Sequence, residues 1–370
     1  VIKAAIVVGT RPEAIKMAPV ALEMRDREGI EPLLVLTAQH RQMCDDVLEV
    51  FSLKAAYDLD IMKPNQSLFD VTARLAVRLE DVFKRERPDI VLVQGDTTST
   101  FMGSLCAYYL KIPVGHVEAG LRTYRKYSPF PEEMNRKLTT VLSDLHFAAT
   151  GAARDALLHE GVPAGDIYVV GNPVIDALLY VAGRDYEFTD PRLRDVDFEG
   201  RRVIAITAHR RESWGEAFDG MMQALRQIAA EHEDVLIVFP VHPNPNVRES
   251  VRRNLDSAER VLLVDPLDYI QFVKLLKSCY FIITDSGGIQ EEAPSLGKPV
   301  LLMREVTERP EAVEAGAVRV VGTGKEDIVA AARMLLASKE EYGKMVIAEN
   351  PYGDGHAAAR IADVVTKRLG

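Results

Sequence analysis

The chain has 370 residues, 47% of them hydrophobic, a formal net charge of −10 and three cysteines. That length favours two domains over one core, and the apolar share excludes a disordered chain. The acidic balance argues against non-specific nucleic-acid binding, while leaving room for a local basic cleft that holds a small anion. Cys44, Cys106 and Cys279 supply neither a disulfide framework nor a metal-binding spacing, which predicts a reducing cytoplasm. No apolar run reaches the length of a membrane span, and the opening run 1–8 is too short for a signal segment.

In chain order, apolar β-rich runs predict strands at 3–8, 31–37, 90–94, 113–118, 145–148 and 167–170. A second set follows at 203–207, 235–241, 261–264, 281–284, 300–303 and 318–321. Helical patterns fill most of the gaps. The clearest, 67–86, carries Leu68, Val71, Leu75, Leu79, Val82 and Phe83 in one stripe. Such alternation implies an α/β fold with parallel sheets covered on both faces. It breaks once, at 183–200, a charged stretch with Pro191 and no clear strand.

The join is therefore placed between Gly171 and Gly200. Residues 1–172 form a first Rossmann-like domain and 173–354 a second, each doubly wound. The tail 355–370 is a helix with Ile361, Val364, Val365 and Leu369 on one face, expected to return to the first domain. Two such halves should face a cleft, with ligands at the strands' carboxyl ends. No short repeat is present.

Polar clusters stand at those ends. Gly9-Thr10-Arg11-Pro12-Glu13, with Lys16, reads as a capped helix start or as a phosphate contact through Arg11. Asp96, in Gly95-Asp96-Thr97, is either the N-cap of the next helix or a catalytic carboxylate. Glu118 ends a buried strand, where a carboxylate is costly unless partnered or functional. In Pro131-Glu132-Glu133-Met134-Asn135-Arg136, acids suit a first helical turn, and Glu132 and Arg136 share a face.

In the second half His209 and Arg210 follow that domain's first strand and are candidates for a diphosphate. His242 is equally a structural hydrogen-bonder or a ligand contact. Asp285-Ser286-Gly287-Gly288-Ile289-Gln290-Glu291-Glu292 is the most telling stretch. Its glycines allow a sharp turn and close approach, the following N–H groups can meet phosphate, and Glu292 can take ribose hydroxyls. An ordinary strand-to-helix turn is the alternative. Arg309 either holds phosphate or pairs with neighbouring glutamates. No cluster has metal-ligand spacing, and no Gly-x-Ser-x-Gly elbow occurs.

Taken in order, these segments resemble the non-hydrolysing UDP-N-acetylglucosamine 2-epimerases over essentially the whole chain. Thr307-Glu308-Arg309-Pro310-Glu311 and Asn350-Pro351-Tyr352-Gly353-Asp354-Gly355 complete the pattern. The resemblance implies the glycosyltransferase-B architecture, interconversion of UDP-GlcNAc and UDP-ManNAc without a cofactor, a homodimer, and supply of ManNAc units for cell-surface polysaccharide. It assigns catalysis to Asp96, Glu118 and Glu132, supported by Arg136 and His209, and amino-terminal basic contacts to Arg11 and Lys16. The UDP set is Ser286, Gly287, Gly288, Glu292 and Arg309, with Phe272 near the base; Arg210 and His242 join it as substrate contacts only on their strand-end positions. Leu267 stands where some bacterial members carry glutamine. Gln39, His40 and Gln42, with Arg74, resemble a regulatory site for a second UDP-GlcNAc, the alternative being a polar helix start with a surface arginine.

The chemistry such an enzyme needs is specific. The hydrogen on carbon 2 is not beside a carbonyl, so the barrier falls only if UDP leaves carbon 1 as the proton leaves. The resulting 2-acetamidoglucal has a planar carbon 2 and can be reprotonated from the other face. A base, an opposing acid and cations for the departing diphosphate are required. Which carboxylate serves which face is open at this point. The competing expectations are a UDP-sugar glycosyltransferase of the same architecture, a hydrolysing epimerase, and a non-catalytic UDP-sugar sensor.

Overall fold

The structure, a computed structural model, describes residues 1–37, 41–63, 66–347 and 349–370, without the side chains of 41–43. It divides into two compact units, Val1–Ala177 with Tyr352–Gly370, and Leu178–Pro351. Residues 173–177 and 352–354, which the sequence pattern put with the second half, pack with the first.

The first unit holds strands β1 (Ile2–Val8), β2 (Ile30–Leu36), β3 (Tyr57–Asp58), β4 (Ile90–Gln94), β5 (Val114–Ala119), β6 (Leu145–Ala148) and β7 (Ile167–Val169). They form one sheet in the order β3-β2-β1-β4-β5-β6-β7, with every neighbouring pair parallel. Between them run α1 (Arg11–Arg25), α2 (Arg41–Val50), α3 (Leu68–Glu86), α4 (Thr98–Tyr109), α5 (Glu132–Leu142) and α6 (Gly151–His159), and α7 (Pro173–Ala182) follows β7 and runs on into the second unit. Strand β4 is buried at all five residues, as expected of a parallel strand covered on both faces. The two-residue β3 was not predicted, because so short a pairing leaves no period to read.

Helix α3 starts from a capping box in which Ser67 and Asp70 satisfy each other's backbone N–H groups. It buries Val71, Leu75, Leu79, Val82 and Phe83, each burial stabilising by about 1.5–3 kcal/mol. Leu68, read as part of that stripe, is exposed in the first turn.

The second unit repeats the plan with β8 (Arg202–Thr207), β9 (Val235–Pro240), β10 (Val261–Val264), β11 (Phe281–Thr284), β12 (Val300–Leu302) and β13 (Val318–Val320). Their order is β10-β9-β8-β11-β12-β13, again parallel throughout. Helices α8 (Pro191–Arg194), α9 (Glu216–Glu231), α10 (Pro245–Leu255), α11 (Tyr269–Ser278), α12 (Gly287–Glu292), α13 (Pro310–Glu314), α14 (Lys325–Ala337) and α15 (Lys339–Lys344) accompany them. The last helix, α16 (Ala357–Leu369), returns to the first unit, packs against α1 and buries Ala357, Ala358, Ile361, Ala362 and Val365.

The chain is thus an α/β protein of two Rossmann-like doubly wound sheets. In the first, strand order reverses between β1 and β4, and in the second between β8 and β11. Open parallel sheets bind ligands at such switch points, outside the strands' carboxyl ends. Gly9, just past β1, shows how tightly the first is built. A Cβ there would stand 2.4 Å from Ser99 Oγ and 2.9 Å from Thr37 Oγ1, so only glycine fits.

Candidate active site

The first switch point is organised by a residue that the sequence motif contained but to which no role was given. Glu13, 2% exposed, accepts on Oε2 from Gly9 N (2.8 Å), Thr10 N (2.6 Å) and Thr10 Oγ1 (2.9 Å). Its Oε1 lies 2.6 Å from Thr97 Oγ1 and 2.9 Å from Thr100 Oγ1. One carboxylate therefore ties the loop after β1 to the loop after β4. Burial pushes its pKa up, and the hydrogen bonds only partly offset that. The Thr10-x-x-Glu13 capping-box spacing was the available signal.

Asp96 is not the N-cap of α4. Thr97 is, its hydroxyl accepting from Thr100 N. The Asp96 carboxylate turns instead to Arg136, with Nε at 2.9 Å and Nη2 at 2.6 Å from Oδ2, and Asn135 Nδ2 donates to its carbonyl at 2.9 Å. Arg136 Nη1 also reaches Glu133 Oε2 at 3.1 Å. Burial works against the charge on Glu133, yet the N–H groups of Thr123 and Tyr124, together with Arg136, hold its pKa below the usual carboxylate range. Arg136 thus faces Asp96 and Glu133, while Glu132, one residue away, buries Oε2 without a hydrogen bond among the described residues.

Glu118 sits at a register shift between Val117 and Ala119 on β5, with φ +62°. A non-glycine residue in that region stores about 1–3 kcal/mol, and such strain gathers at functional sites. Its carboxylate is held by Lys16 Nζ at 2.8 Å and 2.6 Å, by Asn172 Nδ2 at 3.2 Å, and by Gln94 Nε2. Lys16 thereby partners Glu118. Arg11 opens α1 half-buried, with no ion pair for its guanidinium among the described residues. Beneath, His116 on β5 pairs in register with His146 on β6. Burial lowers their pKa values to about 3 and about 4, so both are neutral.

At the second switch point Asp285, fully buried past β11, accepts on Oδ2 from His209 N (2.6 Å) and Arg210 N (2.8 Å). This pins the loop after β8. His209 Nδ1 stands 3.4 Å from Oδ1 without a hydrogen bond. The rings of His209 and His242 stack, centroids 5.3 Å apart and 13° from parallel. Partial burial, and then the neighbouring His209, lower the pKa of His242, whose Nδ1 accepts from Asn244 N at 3.2 Å.

Arg210 reaches Glu212 at 2.8 Å, and Arg304 forks onto Glu308 at 2.8 and 2.9 Å. That fork holds the Glu308 pKa down to about 2. Arg309 Nε bonds Glu291 Oε1 at 2.8 Å. Its guanidinium lies 3.5–3.7 Å from where a Cβ on Gly287 would be, so this cation overlies the first turn of α12. Ser286 precedes that turn and makes no side-chain cap, and Gly288 is exposed. Glu292 ends α12 half-buried, and Phe272 is half-buried on α11.

Of the regulatory residues, Gln39 and His40 lie outside the described residues, as does the side chain of Gln42 on α2. Arg74 donates to Ile61 O at 2.7 Å and to Gln66 Oε1 at 3.1 Å. A cavity of about 320 Å³ beside Trp214, Phe218 and Arg253 includes none of these groups. Among the described residues no metal-holding group of three His, Cys, Asp or Glu occurs. No helix among them is long and apolar enough to cross a membrane. Burial pushes the Cys44, Cys106 and Cys279 thiols up to about 12, 11 and 12, far from a reactive thiolate.

Carboxylates stand at the first sheet's switch point, and histidine and arginine stand beside a glycine turn at the second's. Residues 22–366 match the family model described as UDP-N-acetylglucosamine 2-epimerase. The UDP-N-acetylglucosamine 2-epimerase of Bacillus subtilis is 52% identical over 362 residues, covering 98% of this chain and 94% of that one. That of Escherichia coli is 50% identical over 371 residues, covering 98% of each. The crystal structure of UDP-GlcNAc 2-epimerase from Neisseria meningitidis bound to UDP-GlcNAc matches with a TM-score of 0.88 and 47% identity, over 99% of this chain and 100% of that one. The chain belongs to the UDP-N-acetylglucosamine 2-epimerase family, a family of isomerases with the glycosyltransferase-B fold.

Proposed function

We propose that this enzyme interconverts UDP-GlcNAc and UDP-ManNAc by eliminating UDP to 2-acetamidoglucal and adding it back. The observation that carries the reading is Glu118, a strained carboxylate held at a strand end by Lys16, Gln94 and Asn172. These donors suit the ionised form, and hence the base that takes the proton from carbon 2. The electron pair forms the carbon 1–carbon 2 double bond, and the carbon 1–oxygen bond breaks toward the diphosphate. Glu132, whose Oε2 has no donor among the described residues, suits the acid that returns a proton to the opposite face. The diphosphate oxygen then adds back to carbon 1. Asp96, paired with Arg136, completes the polar set around the sugar.

The UDP is assigned to the second unit: His209, Arg210 and Arg309 for the diphosphate with N–H groups near Ser286, Gly287 and Gly288, Glu292 for the ribose, Phe272 near the base, and His242 behind His209. Arg11 and Lys16, on α1, are assigned to the substrate by the family resemblance alone. The Neisseria relative with UDP-GlcNAc bound supports this substrate. Turnover in deuterated water, followed by proton NMR, should place deuterium at carbon 2 of the product. Active epimerisation without label would exclude the route, and new UDP-ManNAc from UDP-GlcNAc alone separates it from a glycosyltransferase.

The same proposal extends to assembly and setting. Phe69 and Val77 on α3, Tyr108 and Tyr109 on α4, and Leu138 and Val141 on α5 are exposed apolar residues, and these three helices pack in series. That face supports a homodimer, since patches of this kind mark interaction sites. Light scattering should give twice the chain mass, and Val141→Glu should give the monomer. The buried free thiols suit a reducing cytoplasm, where UDP-ManNAc would feed cell-surface polysaccharide. Gln39, His40, Gln42 and Arg74 are assigned to a regulatory UDP-GlcNAc by the family resemblance. An Arg74→Ala enzyme whose dependence on UDP-GlcNAc is unchanged would remove Arg74 from that role.

A further inference from the structure

Glu118 draws side-chain donors from different places. Lys16 stands on α1 and Gln94 at the end of β4, both inside the first unit's framework. Asn172 stands five residues before the chain leaves that unit, between Ala177 and Leu178, and the chain returns between Pro351 and Tyr352. Asn172 is tied to both passages. Its N–H donates to Tyr352 O at 2.7 Å. On the outgoing side its Oδ1 accepts from Val174 N at 3.1 Å and its carbonyl from Ile175 N at 3.0 Å, so it caps α7. The two passages also touch directly, since a Cβ on Gly171 (φ +91°) would come within 3.2 Å of Gly353 Cα.

The amide orientation follows from this geometry. With Oδ1 committed to Val174 N, Nδ2 must face Glu118 Oε1, 3.2 Å away. Asn172 is 1% exposed, so its amide has no freedom to turn toward water. We propose that Asn172 is a positioning residue for Glu118, coupling the carboxylate's placement to the two chain passages between the units. This rests on the reading of Glu118 as an acid/base group. Any shift of either passage that moves Asn172 alters one donor on Oε1, which it shares with Lys16, and leaves Lys16 and Gln94 in place.

Asn172→Asp keeps the capping oxygen and the backbone bonds but sets a second carboxylate against Glu118. Like charges in one site raise the pair's upper pKa. The charged or titratable groups that face Glu118 include Lys16 from α1 and His116 two residues earlier, and His116 stays neutral. The acid limb of kcat/KM should therefore move up by about one pH unit or more, a loss of about tenfold on that limb, while calorimetric UDP affinity stays at the wild-type value. Asn172→Ser, still a good cap but too short to reach Glu118, should lower kcat about tenfold with UDP affinity kept, and it decides the matter if the aspartate variant misfolds. A wild-type limb in the first variant together with a wild-type kcat in the second overturns the coupling. Losses that merely follow a lower Tm, with the pH limb unmoved, overturn it too. A Glu118→Gln enzyme near full rate would instead refute the acid/base reading on which the proposal stands.

Discussion

Glu118→Gln separates the chemistry from the binding. The change keeps the side chain's size and removes the charge that meets Lys16 at 2.8 and 2.6 Å. Breaking a buried pair by removing one partner costs about 3–5 kcal/mol. Here Lys16 and Glu118 side chains remain 16% and 11% exposed, so water screens the stranded ammonium and about 2 kcal/mol is the expected loss. For a unit of this size that lowers Tm by about 4–8 °C. Removing a proton-transfer group costs about 10²–10⁴-fold in turnover. UDP affinity should hold, because the groups assigned to the nucleotide lie mainly on the second unit. Three assays on one sample test this: a proton NMR time course with UDP-GlcNAc, calorimetry with UDP, and thermal unfolding. Adding Lys16→Met to the variant should recover much of the lost Tm and none of the turnover. A near-normal rate in Glu118→Gln refutes the reasoning at its root.

How far the sequence reached depends on the range of the interaction concerned. Parallel strands buried on both faces write themselves as apolar runs, and β4, β6, β10 and β11 fall on the expected residues. The choice between Asp96 and Thr97 as cap was not legible, because both residue types cap well. It is made by Arg136, 40 residues away, which draws Asp96 out of the capping position. Glu118 was legible as a costly carboxylate at a strand end, and the same argument applied to Asp285 would have found the anchor of His209 and Arg210. Its donors were not legible: Lys16, Gln94 and Asn172 lie 102, 24 and 54 residues away and meet it only through the fold. The division inside α7 also escapes a linear reading. That helix runs through it unbroken, so no change of composition marks the place.

Further outcomes follow from buried groups. Glu13→Ala leaves the Gly9 and Thr10 N–H groups without their acceptor, a cost of about 1–3 kcal/mol for each. Thermal unfolding should show the loss, and kcat should fall because the loop carrying Asp96 is released; unchanged kcat would confine Glu13 to folding. Gly120→Ala puts a Cβ 2.2 Å from Ala153 O at a φ of +94°, so denaturant titration should show a loss of at least about 1–3 kcal/mol, and wild-type stability would mean that the loop yields freely. Asp176 on α7 accepts from Ala357 N at 3.2 Å and Ala358 N at 2.8 Å, at the first turn of α16. Burial raises its pKa to about 6 despite those two bonds. The folded chain therefore holds this proton more tightly than the unfolded chain, whose Asp titrates near ~3.9. The stabilising effect is full below about pH 4, fades as pH rises to about 6, and is gone above that, by about 1.4 kcal/mol per unit and roughly 3 kcal/mol in all. In Asp176→Asn the effect is absent. Wild type should thus gain stability over the variant as pH falls from 7 to 4, measured by denaturant titration at each pH. A difference that stays constant across that window would mean the carboxylate is solvated, and burial could no longer explain how α16 is held.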